Sequence, residues 1–270
     1  MQLSVIHKTQ YHYSSPLTQA LQQLRLTPTD SPGQKVSNWR ISMPGIENAL
    51  QFNDAFGNIT HLVSLNPNAD ILTIEASGDV ETTDLSGVLG KMPGSVPARV
   101  FCRKTDLTGD NAGIRKLAGV MDKEDNLIAG LHALMQSVRE TVSYKVGVTE
   151  THTPAADALS RGEGVCQDHA HIFISAVRHK GLPARYVSGY LLVDEVDTSE
   201  AHHAWAEVCL PDLGWVGFDV SNGVSPTDQH IRLSTGLDSR SAAPIRGVRW
   251  GGTEEKLEVQ VDVAQGAAQQ

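Results

Sequence analysis

The chain has 270 residues, enough to bury a full core and to divide into two domains of about 100–170 residues. Hydrophobic residues make up 40% and charged residues 20%, the balance of an ordinary globular protein. Its 31 acidic and 22 basic residues leave a formal charge of −9, which argues against a nucleic-acid partner and against docking on an anionic membrane.

No apolar run approaches the roughly 20 residues of a membrane-spanning helix. The start, Met1-Gln2-Leu3-Ser4-Val5-Ile6-His7-Lys8, has no basic region followed by an apolar stretch, so no secretory signal is expected. The three cysteines, Cys102, Cys166 and Cys209, form no CxxC pair and no disulfide framework. A reducing cytoplasm is the expected location, and it would keep Cys166 a thiol.

In chain order, residues 1–90 read as β. The segments 3–13, 36–43, 59–64 and 71–80 alternate or are rich in Val, Ile and Thr, with turn residues between them. That spacing predicts an antiparallel β-sandwich domain. Residues 87–97, rich in Gly, Ser and Pro, read as a linker. Helices follow over residues 126–144, capped by Asp125 or Asn126, over 153–159 with Pro154 in the first turn, and over 166–180. In the last of these, Ala170, Phe173, Ile174 and Val177 form the expected buried stripe, and Gly181 and Pro183 stop it. Three strand-like segments come next, 184–193, 202–210 and 214–220, the last two joined by the turn Pro211-Asp212-Leu213-Gly214. Residues 98–263 are assigned to a second domain and 264–270 to a disordered tail.

The segment Arg161-Gly162-Glu163-Gly164-Val165-Cys166-Gln167-Asp168-His169 places a thiol at the start of a helix. Unsatisfied N–H groups and partial positive charge there favour the thiolate, which is the nucleophilic form. Gly162 and Gly164 let the chain turn sharply into the helix. An imidazole in reach would complete a thiolate–imidazolium pair. His169 lies on the same helix and points along its surface, whereas His202 and His203 lie on a strand, where they face opposite sides, so one of them can serve. Asp219 is placed to orient the imidazolium. Pairing across the 211–214 turn by residue numbers summing to about 425 puts Asp219 level with Ala206, so contact with His203 needs a diagonal or a shifted register. Cys102 and Cys209 read as structural thiols, Cys209 on the strand face of His203. Asp168 reads as a charge complementing the helix dipole, Glu207 as a strand-surface charge, and Trp205 and Trp215 as core aromatics. A zinc site from Cys166, His169, His171 and His202 is the competing use of these residues.

Four segments together resemble the transglutaminase-like superfamily, in particular its bacterial cysteine-protease-like members. They are Gly164-Val165-Cys166-Gln167-Asp168-His169-Ala170-His171, Gly181-Leu182-Pro183-Ala184-Arg185-Tyr186-Val187-Ser188-Gly189-Tyr190, His203-Ala204-Trp205-Ala206-Glu207-Val208 and Gly214-Trp215-Val216-Gly217-Phe218-Asp219. Leu21-Gln22-Gln23-Leu24-Arg25-Leu26-Thr27-Pro28 and Asp54-Ala55-Phe56-Gly57-Asn58 are similar to the β domain that precedes the core in this bacterial group. The resemblance implies an α+β fold with a papain-like core and a catalytic set of Cys166 as nucleophile, His203 as base and Asp219 as orienting acid. It favours His203 over His202 because the family's histidine directly precedes Ala-Trp. The family's Asp-Pro-Thr-Asn is here Asp219-Val220-Ser221-Asn222, a departure on the substrate side.

The expected activity is thiol-dependent hydrolysis of an amide or peptide bond through a thioester. Transfer of a glutamine acyl group to an amine or to water is the alternative, and a non-catalytic scaffold is a third reading that the intact triad disfavours. The expected partners are a protein or peptide substrate and, for transfer, an amine acceptor. No cofactor and no metal is expected, and the absence of an EF-hand loop or dense carboxylate cluster predicts calcium-independent action.

Overall fold

The computed structural model describes residues 1–92, 96–193 and 202–266. Strands come first: β1 (Gln2–Thr27), β2 (Gln34–Ser42), β3 (Leu50–Asn53), β4 (Ile59–Leu65), β5 (Ala69–Thr82) and the short β6 (Val88–Gly90). The middle holds α1 (Ala112–Ala118), α2 (Leu127–Thr141), β7 (Ser143–Tyr144), α3 (Ala155–Arg161), β8 (Glu163–Gly164) and α4 (Cys166–His179). Six strands close the chain: β9 (Ala184–Leu191), β10 (His202–Leu210), β11 (Gly214–Phe218), β12 (His230–Gly236), β13 (Ile245–Gly251) and β14 (Glu255–Gln265). This is the α+β class read from the sequence, with antiparallel sheets and a helix-borne thiol packed on strands.

The first sheet is built around β1. Its first half lies between β5 and β14, and its second half between β4 and β13, all antiparallel. The register with β5 breaks between His12 and Leu17, where Pro16 has no N–H to donate. The strand expected over 3–13 therefore continues past this break to Thr27. Leu3 and Val5 from one half and Leu17 and Leu24 from the other share a single core with Val63, Leu72, Ile74 and Val80. Tyr190 of β9 and Ile231 and Leu233 of β12 enter that same core, so the first sheet packs directly on the second. Each such fully buried aliphatic side chain contributes about 1.5–3 kcal/mol.

The second sheet runs β12-β9-β10-β11-β6. Along β10, Ala204, Ala206, Val208 and Leu210 pack with Ala170, Phe173, Ile174 and Val177 of α4 in the second core. The stripe expected on α4 is buried, but so is every other residue from Asp168 to Arg178. A helix closed on all sides must satisfy its polar groups internally. Arg178 does so by donating to the carbonyls of Phe101, Ala184 and Leu237 and to the Thr108 hydroxyl, at 2.7–3.2 Å.

Three expectations about the chain's divisions are met differently. Val88–Gly90, inside the expected linker, pairs with β11 at the sheet edge, while residues 93–95 lie outside the described residues. β13 and most of β14, inside the range 98–263, pair with β1 of the first sheet. Ala264 and Gln265, expected in a disordered tail, are the last rungs of β14, opposite Ser4 and Leu3. Residues 267–270 of that tail lie outside the described residues.

Side-chain amides of the first region tie it to the second. Gln34 accepts from the Arg232 N–H at 2.7 Å and donates to the Arg232 carbonyl at 2.9 Å. Asn58 does the same to Thr235, at 2.8 Å in both directions. Each amide thus imitates a strand neighbour along β12, which would otherwise be an open edge. Behind this contact, Glu207 is 1% exposed and bridges Arg185 at 2.6 Å and Arg232 at 3.0 Å. The reading of Glu207 as a surface charge is therefore corrected: the face of β10 that carries it is covered, and Arg185 itself lies 3.8 Å over the Trp215 ring.

Removing one partner of a buried ion cluster strands the others without a counter-charge. Glu207→Gln is expected to cost about 3–5 kcal/mol in chemical denaturation. Breaking the exposed Lys104–Asp110 pair should cost no more than about 1 kcal/mol.

Candidate active site

The entry into α4 is fixed by a carboxylate. Gly162, in the left-handed region at φ 70°, ends α3 and turns the chain toward Cys166. Asp168 reaches back to accept the Val165 N–H at 2.9 Å and the Thr149 hydroxyl at 2.6 Å. Gly164 makes room for this: a Cβ there would stand 2.8 Å from the Asp168 carboxylate. Asp168 is thus a buried helix cap as well as a charge near the dipole. Cys166 begins the helix, partly buried, where backbone N–H groups have no intrahelical partner.

The structure brings His203 and Asp219 together, with His203 Nε2 2.8 Å from Oδ2 of Asp219, and Cys166 acts on the charge of His203. With Nε2 engaged, Nδ1 is left for the thiol. The hairpin register is Ala206 opposite Phe218 and Leu210 opposite Gly214, one residue from the expected pairing, because the turn holds three residues and Gly214 at φ 72° joins the ladder. Asp219 therefore follows the last rung and reaches His203 on a diagonal.

Burial by itself would strip the proton from His203. Hydrogen bonds to Asp219 and Cys166, with the charges on both, outweigh it and push the imidazolium well above the ordinary histidine range. Burial likewise opposes ionisation of Asp219, but donation by His203 and then His230 prevails and holds the carboxyl far below the usual carboxylate range.

His230 and Asn222 did not emerge from the sequence. The Thr227 N–H donates to His230 Nδ1 at 3.1 Å, which fixes the tautomer with hydrogen on Nε2. That Nε2–H donates to Asp219 Oδ2 at 3.0 Å. Asn222 Nδ2 donates to the same oxygen at 2.7 Å. The chain gets back to this point through the turn at Gly223, φ 69°, with the Gly223 N–H donating to the Asp219 carbonyl at 2.9 Å. The sequence signal was the retained Asn222 after the Asp219-Val220-Ser221 departure; for His230 no spacing pointed to the site. Trp205 stacks on His203 and stands edge-on to His230, with ring centroids 6.3 and 5.5 Å apart.

His203, Asp219 and His230 also stand close enough for three-point metal ligation. The His230 tautomer opposes it, since its Nε2 carries hydrogen and offers no lone pair to a cation. The zinc set considered from sequence is dispersed. His169 bonds the Val142 carbonyl at 2.9 Å and Ser221 at 3.0 Å, and His171 accepts the Ser239 N–H at 3.0 Å. His202 bonds Ser188 at 3.2 Å. Cys209, six residues along β10 from His203, is about 20 Å away at strand rise, and Cys102 lies 3.5 Å from the Gly181 carbonyl.

A cavity of about 660 Å³ has Gln167, Tyr186 and His202 on one side and β1, β13 and β14 opposite, and none of Cys166, His203 and Asp219 lines it. Among the described residues no helix is long and apolar enough to cross a membrane.

Residues 115–220 match the Transglutaminase-like superfamily and residues 3–81 match the Bacterial transglutaminase-like N-terminal region. An uncharacterised protein of Mycobacterium leprae, ML0607, is 28% identical over 274 residues, covering 97% of this chain and 98% of its own. A candidate cysteine protease from Cytophaga hutchinsonii has the same fold, with a TM-score of 0.78 at 20% identity over 100% of this chain and 92% of that one. A protein-glutamine gamma-glutamyltransferase of Pseudomonas aeruginosa is 31% identical over 108 residues, 33% of this chain and 15% of that protein.

Because folding raises the His203 pKa and depresses that of Asp219, their pairing contributes fully to stability from about pH 4 to about pH 6.5, between the two unfolded values. Above that range the contribution declines, and it is lost as pH rises through the raised histidine value. Below it, the contribution is lost as pH falls through the depressed aspartate value. Nuclear magnetic resonance titration of the ring should show His203 still protonated at pH 8. In Asp219→Asn its midpoint should fall toward or below the ordinary value.

Proposed function

Since the chain belongs to the transglutaminase-like superfamily and carries the bacterial transglutaminase-like N-terminal region, we propose that it is a thiol hydrolase of amide or peptide bonds, with Cys166 as nucleophile, His203 as general base and acid, and Asp219 as orienting carboxylate. The observation that carries this reading is the buried Asp219 holding His203 at 2.8 Å, with Cys166 among the groups that raise the His203 pKa. A helix start, a glycine-cleared entry and an imidazole held by a carboxylate are the three conditions that make a thiol a nucleophile at neutral pH.

The chemistry follows from these positions. His203 takes the Cys166 proton as the sulfur attacks the carbonyl carbon. The carbonyl oxygen becomes an oxyanion that the Cys166 backbone N–H, at the first helical position, can stabilise. As the C–N bond breaks, the His203 proton moves to the departing amine and a thioester remains on Cys166. Water then gives one proton to His203 and its oxygen to the acyl carbon; the acid leaves and the thiol is restored. An amine in place of the water would complete a transfer instead, the reaction in the name of the Pseudomonas aeruginosa relative. Hydrolysis is preferred because Cys166 is only partly buried, which admits water.

Alkylation by iodoacetamide, mapped by peptide mass spectrometry across pH, tests the reading with Cys102 and Cys209 as internal standards. Cys166 should react selectively well below pH 8 and lose that advantage in His203→Ala. Cys166→Ala should abolish amide turnover, and Asp219→Asn should lower kcat by roughly 10³–10⁴-fold, as loss of a triad carboxylate does elsewhere. Reaction of Cys166 no faster than the two standards would refute an activated nucleophile. Addition of a primary amine separates the two outcomes of the thioester: an acid product alone means hydrolysis, and an amide adduct means transfer.

A further inference from the structure

β14 is an edge of the first sheet. It pairs with β1 over eleven consecutive rungs, from Glu255 opposite Tyr13 to Gln265 opposite Leu3, with no break in register. Among the described residues no strand lies on its other side. In an antiparallel ladder alternate residues turn N–H and C=O toward one neighbour, so the remaining residues of β14 present theirs outward. Edges left in this state usually carry a proline, a bulge or several lysines that block further pairing. β14 has no proline, no glycine and one lysine, and every residue from Glu255 to Gln260 is exposed.

Its side chains form two rows. Leu257, Val259, Val261 and Val263 share one face, and Lys256, Glu258, Gln260 and Asp262 the other. Leu257 and Val259 are 51% and 48% exposed, whereas Val261 is a member of the first core and Val263 packs against it. Glu255, at the start of the apolar row, is held by Arg249 of the same chain at 3.0 Å. On the polar row the one cation, Lys256, stands near the start of the strand and Asp262 near its end. Lys256 bonds Glu258 of its own strand at 2.7 Å and stays 76% exposed, so its ammonium can meet a second carboxylate.

Such a strand is complementary to itself, and the charges select the register. A pairing centred between two residues would set the apolar row against the polar one. Centred on Glu258 or Gln260, it opposes carboxylates, Glu258 to its own copy or Glu258 to Asp262. Centred on Leu257, it runs out at Glu255 and overlaps only residues 255–259. Centred on Val259, it sets Lys256 against Asp262 at both ends, Leu257 against Val261, Glu258 against Gln260 and Val259 against its own copy. Opposite charges across a strand pair stabilise it and like charges destabilise it. The neighbour's Leu257 would also extend the first core at Val261.

We infer that β14 is the interface for a second copy of this chain, the two strands joining edge to edge and antiparallel about a two-fold axis at Val259. The same patch serves both copies and each β14 is then covered on both sides, so assembly through this edge stops at two. The overlap, residues 255–263, is short beside the roughly 20–30 residues a side of a standard interface, so pairing is expected to be reversible with concentration. It involves none of Cys166, His203 and Asp219, and stands or falls separately from the hydrolase reading.

Sedimentation velocity of the full chain across a range of micromolar concentrations tests it, and a monomer–dimer equilibrium is expected. Lys256→Glu alone and Asp262→Lys alone each turn both ion pairs into like-charge pairs, and each should weaken dimerisation at least about tenfold. The double variant Lys256→Glu, Asp262→Lys exchanges the charges and should return it to within about threefold of the unaltered chain. Mixing the two single variants should restore pairing as well, because each then meets the opposite charge on the other. Lys123→Glu, outside β14, should change nothing, and circular dichroism melts check that every variant is folded. A chain that stays monomeric at every concentration overturns the inference. So does a dimer indifferent to both single substitutions, which places the contact elsewhere. Failure of both the double variant and the mixture to restore pairing overturns the register and with it the assignment.

Discussion

Oδ2 of Asp219 collects hydrogen bonds from three side chains, His203 on β10, His230 on β12 and Asn222 in the turn after β11. A buried carboxylate is costly unless donors compensate it, and three donors on one oxygen make the ionised form the stable one. The same arrangement draws together segments that are not all neighbours in the sheet, since β12 pairs with β9 and β11 lies beyond β10. The geometry offered to Cys166 is therefore a product of the whole sheet. His203 is held by its carboxylate, that carboxylate by His230, and His230 by the backbone at Thr227.

The thiol depends on a different device. α4 is buried from Asp168 to Arg178, so its axis cannot drift, and its first turn is anchored by Asp168 bonding Val165 and Thr149. An exposed helix end would fray, and a frayed first turn would lose both the position of the sulfur and the N–H groups that favour its anion. Gly164 serves this anchor by leaving space for a carboxylate, which is a stricter requirement than general flexibility. The two devices meet at Ser221, whose hydroxyl bonds His169 of α4 at 3.0 Å from within the turn that also carries Asn222.

Much of this was legible in local sequence. Cys166 after glycines, the alternating strand from His202 to Leu210 and the tight turn before Gly214 each carry a short-range signal, and β10 has the bounds that the pattern gave. The α+β class and the helix over Leu127–Thr141, capped by Asn126 accepting the Ala129 N–H at 2.9 Å, are local in the same sense. What escaped was non-local. His230 lies eleven residues beyond Asp219 on a strand that the periodicity did not reveal, and only the order of strands in the sheet brings it back. Glu207 alternates with core residues exactly as a surface charge would; its burial is set by Arg185, Arg232 and the segments that cover them. The bounds of the two regions misled for the same reason, because strand pairing between residues 3–13 and 255–265 is specified by partners 242 to 262 positions apart in sequence.

That long-range pairing changes how the first region relates to the site. Tyr190, Ile231 and Leu233 of the second sheet complete the first core, and Gln34 and Asn58 of the first region satisfy backbone groups of β12 in the second. Separating the two would expose apolar surface on both and open the edge of the very strand that carries His230. The returning strands β13 and β14 add one wall of the cavity over Gln167, Tyr186 and His202, using β1 as their template. Cys166, His203 and Asp219 come from the second region, while that wall comes from the two ends of the chain. The first region is therefore a structural support of the strand that carries His230, and through Asp219 of the ring of His203.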